Sequence, residues 1–562
     1  MKKRVVATLL TLSMLTGCLI SACGSGNDND IESSETLSEE TQEEVTALSL
    51  MEEYNNGALN VTDDNYRTYY EVFVYSFYDS DGDGVGDLQG LTEKLDYIND
   101  GDDTTDTDLG CNGIWLMPIM PSTTYHKYDV TDYCNIDPEY GTLDDFKTFI
   151  EASHERGINV IIDLVMNHTS SKHSWFTEAV SYLQSLEAGE EPSEEECQYF
   201  GYYNFSKEQG SGYYAVPGTD WYYEGKFWSE MPDLNLANEN VRAEFEAIVD
   251  FWLDLGVDGF RLDAAKEFYS EDTEKNVEVL DWFNAMAKGK NEDLFIVAEV
   301  WSNMASYSQY YSSGISCFDF DFADSEGVIA SSLKKSNAVS YGSRIEEMQT
   351  ALSTYNPDYI DAPFYTNHDM ARSAGYYSGE YSENQTKMAQ AMNLLMSGSA
   401  FIYYGEELGM KGSGKDENKR APMYWSADES ALGMCDGPKD MGSVKMKYGS
   451  LEEQLEDGNS IYNYVKEVIQ LRNQYPVLSH GVTDMVDEVS SDNICVLRKT
   501  YEGEELLVIF NVSEAEAIVD LSGVDLPSET AEIGGMLLTT NTAATLEGES
   551  VNMPPYSVVI IK

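Results

Sequence analysis

Between residues 67 and about 475, short apolar runs alternate with stretches of helical period. The runs lie at 70–77, 113–118, 159–165, 259–262, 294–300, 317–322, 363–366 and 401–404, and helical patterns at 142–156, 241–255 and 277–288 fall between several of them. Strand and helix in alternation predict a parallel sheet, and eight such strands in order predict an α/β fold, a (β/α)8 TIM barrel. Beyond 475 the period changes to two, with turn-bounded runs at 494–500, 505–511 and 557–561. Alternation of that kind predicts a C-terminal antiparallel β-sandwich domain over 476–562.

The amino terminus departs from both patterns. Met1-Lys2-Lys3-Arg4 precedes an uncharged apolar stretch that ends in Ile20-Ser21-Ala22-Cys23, the form of a bacterial lipoprotein signal with its cleavage box. Leu15-Thr16-Gly17-Cys18 is similar, but apolar Leu19-Ile20 follows it, whereas a polar stretch follows Cys23. Residues 1–23 are therefore expected to be a lipoprotein signal peptide and Cys23 the lipid anchor. The stretch 24–66 holds no Lys or Arg and is read as an acidic disordered tether. This places the chain on the extracellular face of a bacterial cell membrane, touching that membrane only through its lipid, and a monomer is expected.

Over the whole chain, 100 Asp plus Glu stand against 34 Lys plus Arg, a net charge of −66, which excludes nucleic acid as a partner. Six cysteines beyond the tether (Cys111, Cys134, Cys197, Cys317, Cys435, Cys495) show neither zinc-ligand nor knottin-like spacing.

In a barrel the chemistry sits at the carboxyl ends of the strands. There the sequence reads Asp163-Leu164-Val165-Met166-Asn167-His168, Gly259-Phe260-Arg261-Leu262-Asp263, Ala298-Glu299-Val300-Trp301 and Thr366-Asn367-His368-Asp369. Arg261 and Asp263 share one side of their strand, and Asp263 and Glu299 end adjacent strands about 4.8 Å apart. A retaining glycosidase needs its two carboxyls about 5–5.5 Å apart, so the placement predicts retention. Arg261 is expected to keep Asp263 ionised as nucleophile, while the charges of Asp263 and Asp369 raise the pKa of Glu299, the proton donor. Asp369, His168 and His368 are expected to bind the sugar hydroxyls. Separately, Asp79-Ser80-Asp81-Gly82-Asp83-Gly84-Val85-Gly86-Asp87 alternates oxygens with flexible glycines, which suits a hard cation of the Ca²⁺ type.

These four segments, in this order, resemble the signature regions of the α-amylase family, glycoside hydrolase family 13, from about Tyr70 to the carboxyl terminus. The resemblance implies Asp263 as nucleophile, Glu299 as acid/base and Asp369 as transition-state stabiliser, with Tyr128, Asp129, His168, Arg261, Lys266, His368 and Arg372 binding substrate. It also implies an inserted domain at about 169–230, whose aromatics (Trp175, Phe176, Tyr199, Tyr202, Tyr203, Tyr213, Tyr214, Trp221, Trp228) are mostly core, with two or three facing the cleft. Structural Ca²⁺ is expected on Asp79, Asp81, Asp83, the carbonyl of Val85, and Asp87. At the family's other calcium site Asn167 matches, but Glu267 stands where a histidine is expected after Lys266. Met231-Pro232-Asp233-Leu234-Asn235 has a form between those of the oligo-1,6-glucosidase and neopullulanase groups. Ala264 stands where α-1,6-specific relatives tend to carry valine.

The reading is a retaining hydrolase of α-1,4-glucosidic bonds in starch-derived malto-oligosaccharides. An exo-acting α-glucosidase or a glucanotransferase of the same family uses the same triad. Outside enzymes, the alternative is a non-catalytic glucan-binding surface lipoprotein.

Overall fold

The structure is a computed structural model, and it describes residues 45–562 apart from Ala188, Glu271 and Glu529. The signal peptide, Cys23 and the tether to residue 44 lie outside the described residues. Seven strands, β1 (Thr68–Val72), β2 (Gly113–Leu116), β3 (Asn159–Leu164), β4 (Gly259–Leu262), β5 (Phe295–Ala298), β6 (Ser316–Cys317) and β7 (Ala400–Tyr403), form one parallel sheet in the order β7-β1-β2-β3-β4-β5-β6. Parallel bridges from Phe318 to Ala362 and from Phe364 to Phe401 close the barrel between β6 and β7. The strand expected at 363–366 is thus reduced to single bridges. Pro363 has no N–H for a ladder, and only its carbonyl joins, accepting from Phe401 N at 2.8 Å.

β1, β2, β4, β5 and β7 are buried along their whole length, which explains their continuous apolar reading. Alternate residues divide between two cores. Tyr69, Trp115, Ile161, Phe295, Val297, Phe318 and Phe401 fill the barrel interior, while Tyr70, Ile114, Ile162, Phe260, Ile296 and Ile402 join the core beneath the helices. Tyr69 is stacked between Phe295 and Phe401, with ring centroids 5.2 and 5.0 Å away. The interior is therefore a packed floor beneath whatever lies at the strand ends. β1 is shorter than the expected 70–77, because the chain turns at Val72 into a 3₁₀ turn (Val74–Ser76) over which the acidic loop folds back. A Cβ on Gly86 would lie 2.0 Å from the Val74 carbonyl oxygen, so only glycine permits this approach.

The inserted domain leaves after β3. It holds a helix (Ser174–Ser185) and a small antiparallel sheet (Phe205–Ser206, Tyr222–Glu224, Tyr213–Ala215), and an antiparallel bridge from His168 to Asp233 returns it to the barrel. The C-terminal strands form two antiparallel sheets, of five and three strands.

Residues 45–66, expected within the tether, belong in part to the fold. Ala47–Tyr54 is a helix capped by Thr46, with Ala47 and Met51 buried. Spacing of these two apolar residues by four puts them on one face, and that face seats against the strand Ile533–Leu537 and the helix Ile461–Gln474. Among the described residues all six cysteines are free.

Candidate active site

Arg261 projects from β4 and is completely buried under the strand ends, its guanidinium 5.2 Å from the Trp115 ring. Nη1 donates to Asp263 Oδ1 at 2.8 Å and to both oxygens of Asp163 at 2.9 and 2.8 Å, and Nη2 donates to Glu299 Oε2 at 2.7 Å. Glu299 Oε2 also accepts from Ala264 N at 2.9 Å. The last paired residues of β4 and β5 are Leu262 and Ala298, so Asp263 and Glu299 leave the sheet side by side.

Burial governs the titration of both carboxyls. It lifts Asp263 to about 6 against the pull of Arg261, with help from Asp163 and Asp369. Burial also lifts Glu299, opposed by Arg261 and reinforced by Asp263 and Asp369.

Asp369 behaves in the opposite way. Although burial works against its charge, His368, Arg420 and Arg261 hold it well below the usual carboxylate range. Arg420 Nη2 donates to Oδ1 at 2.8 Å, and His368 Nε2 lies 3.0 Å from Oδ2. His368 is raised to about 9, its desolvation outweighed by Asp369 and by Glu71, whose Oε1 lies 2.6 Å from Nδ1. Burial lowers His168 to about 4, so it is neutral, with Nε2 3.2 Å from the Tyr128 carbonyl.

A cavity of about 520 Å³ opens above these groups. Tyr128, His168, Asp263, Lys266, Glu299 and Asp369 line it, and all were expected in the site. Arg261 lies beneath it. Three expected binding residues stand behind the wall. His368 has both ring nitrogens engaged, Nε2 also reaching the Tyr128 hydroxyl at 2.8 Å, so it braces Asp369 and Tyr128. Asp129 is fully buried and accepts from the hydroxyls of Ser122, Thr123, Thr124 and Ser170, which fix the turn carrying Tyr128. Arg372 points away, to the carbonyls of Tyr404 at 2.5 Å and Lys419 at 3.0 Å, under the rings of Tyr403 and Tyr404.

The arginine that lines the cavity beside Asp369 is Arg420, not Arg372, which was expected to bind substrate. Arg420 caps the carboxyl end of the short helix Asp416–Lys419, 51 positions after Asp369, where no motif marks it. His126, Phe227, Met231, Ala264, Glu267, Trp301 and Asp416 complete the wall. Phe227 is the aromatic that the inserted domain contributes to this lining, and it is none of the nine residues anticipated; Trp175, Phe176, Tyr202 and Tyr203 are core. Trp301 could have been noticed from its position two residues after Glu299.

At the acidic loop, oxygens of Asp79, Asp81 and Asp87 lie within 4.8 Å of one another. Asp79 is nearly buried and accepts from Gly82 N and Gly84 N, at 2.7 and 2.8 Å. Asp87 caps the helix Leu88–Glu93, accepting from Gly90 N at 2.7 Å. Asp83 stands outside this cluster, its Oδ1 accepting from Val85 N at 2.8 Å.

A barrel with paired carboxyls on one guanidinium defines a glycosidase site, and the comparisons with known proteins agree. The family described as "Alpha amylase, catalytic domain" matches residues 71–481, and "Alpha-amylase SusG C-terminal domain" matches 494–560. The chain belongs to the α-amylase family and is a glycoside hydrolase. It is 49% identical to the solved structure titled "Eubacterium rectale Amy13B", with a TM-score of 0.88 over 91% of this chain and 98% of that one. It is 36% identical to "Alpha-amylase 3" of Dictyoglomus thermophilum over 88% of this chain and 92% of that protein. It is 30% identical to "4-alpha-glucanotransferase" of Thermotoga neapolitana over 80% of this chain and 97% of that protein.

Proposed function

We propose that the chain hydrolyses α-1,4-glucosidic bonds of starch-derived malto-oligosaccharides with retention. The observation that carries this reading is the shared guanidinium of Arg261, which holds Asp263 and Glu299 together at neighbouring strand ends, the placement that a nucleophile and an acid/base of a retaining enzyme require. Glu299 protonates the glycosidic oxygen while Asp263 attacks the anomeric carbon. Water assisted by Glu299 then releases the covalent sugar, and the carboxyl regains its proton. Asp369, kept ionised by His368 and Arg420, faces the positive charge that develops on the sugar. Tyr128, Phe227 and Trp301 offer aromatic faces for glucose rings; Trp301 lies against Phe320, centroids 5.2 Å apart.

The acidic loop is proposed to hold Ca²⁺ on Asp79, Asp81 and Asp87; converging carboxylates, one of them nearly buried, suit that ion's preference for oxygen. Cys23 is proposed to carry a lipid that keeps a monomeric enzyme at the outer face of the cell membrane, on the sequence pattern alone.

Proton NMR of maltoheptaose hydrolysis tests the reaction. The newly formed reducing ends should appear first as the α-anomer, and β-anomer first would overturn retention. Maltotriose should be cleaved faster than isomaltotriose, since Ala264 leaves room beside the nucleophile. Products longer than maltoheptaose would replace hydrolysis with transfer as the main activity.

A further inference from the structure

Besides the backbone bridge from His168 to Asp233, one side chain crosses between the inserted domain and the barrel's fourth strand end, and its residue is held at two points. Lys226 follows the last strand of that domain, and its N–H donates to Asp233 Oδ2 at 2.9 Å. The other oxygen of Asp233 accepts from Asn167 Nδ2 at 3.2 Å, at the end of β3. The ammonium of Lys226 crosses the junction to Glu267 Oε2 at 2.8 Å. Glu267 closes the 3₁₀ turn Ala265–Glu267, which begins two residues after Asp263. The next residue, Phe227, is half exposed, lines the cavity and lies 5.4 Å from the His168 ring, centroid to centroid. Lys226 thus places a cation among Glu224, Asp233 and Glu267, which would otherwise repel one another across the junction.

We propose that the Lys226–Glu267 ion pair is a latch that positions Phe227 over the cleft, so that Lys226 is a positioning residue for binding a glucan chain and not for the chemical step. The proposal rests on the reading of the cleft as a glucan site. The latch links the segment after the last strand of the inserted domain to the turn after β4, and it holds the residue immediately before the stacking ring. Releasing it lets Phe227 swing away while Asp263, Glu299 and Asp369, all held from the barrel, stay in place.

Steady-state kinetics on maltoheptaose test this. Lys226→Met should raise KM about 5- to 10-fold with kcat changed less than about twofold, the mark of lost uniform binding. Phe227→Ala should raise KM similarly, and Lys226→Met combined with Phe227→Ala should be no worse than Phe227→Ala alone. The charge-reversed pair, Lys226→Glu with Glu267→Lys, should recover most of the KM. An unchanged KM, additive effects, or a fall in kcat at constant KM would overturn the latch. Hydrogen exchange of the 226–230 backbone provides a readout free of substrate. It should be faster in Lys226→Met than in the wild type, and equal rates would also overturn the proposal. If wild-type protein leaves maltoheptaose intact, the functional reading fails while this exchange result still decides the latch.

Discussion

Arg261 meets three carboxylates and is fully buried, an arrangement in which charge is held at a cost because the chemistry needs it. The buried carboxyl of Asp263 has its pKa above that of an unfolded aspartate, so this group detracts from stability as pH rises from about 4 through about 6. Asp263→Asn should therefore abolish turnover while keeping or raising the melting temperature at pH 7; a clear fall in melting temperature would contradict the sign. Glu299→Gln should lower kcat roughly 10²–10⁴-fold, the usual worth of a general acid. The wild-type kcat/KM should be bell-shaped, rising as Asp263, lifted by burial to about 6, ionises and falling as Glu299, which burial also lifts, loses its proton, and a flat profile from pH 4 to 9 would remove both roles. The identity of these carboxyls was legible because each directly follows a buried strand. The partners of Asp369 were not, since a ring or guanidinium beside a carboxylate is set by how loops meet. Arg372 and Arg420 look alike in a sequence, but one is aimed at carbonyls and the other at Asp369.

Among elements, the strands provide precision and the loops provide the variable wall. Residues anchored to β4 and β5 inherit the register of the sheet, whereas Phe227, Trp301 and Arg420 depend on segments without ladder hydrogen bonds. The acidic loop belongs to this scale. Its folding back over the turn after β1 brings Asp79, Asp81 and Asp87 together, which is where the cation is proposed. A cation bound only by the folded state at 100 times its Kd stabilises by about 2.7 kcal/mol. EDTA should accordingly lower the melting temperature, with restoration by Ca²⁺ but little change in low-temperature activity. An unchanged melting curve, together with calcium-free purified protein, would remove the metal from this loop. The nine-residue spacing pointed to the loop, but which carboxylates converge depends on backbone turns: Asp83 caps its own strand of loop instead of joining.

At the scale of the whole molecule, barrel, sandwich and N-terminal segment meet at Asn55. Its amide donates to Glu467 Oε2 at 2.8 Å and to the Met536 carbonyl at 3.0 Å, and its Oδ1 accepts from Met536 N at 2.9 Å. Asn55→Ala would leave buried groups on Glu467 and Met536 unpaired, which costs about 1–3 kcal/mol. Unfolding in urea should show that loss with kcat unaltered, and stability equal to the wild type would make the segment a passive tether after all. The strand–helix alternation, the family resemblance and the carboxyls at the strand ends were all legible in the residue order, because burial period and strand-end position are local properties of the chain. Tertiary structure alone decided that residues 47–54 pack as a helix, that Pro363 leaves one stave as single bridges, that Asp129, His368 and Arg372 stand behind the cleft, and that Phe227 and Arg420 line it. Each of those outcomes depends on which side chains from distant segments arrive at the same place, and the packing of the completed barrel settles that.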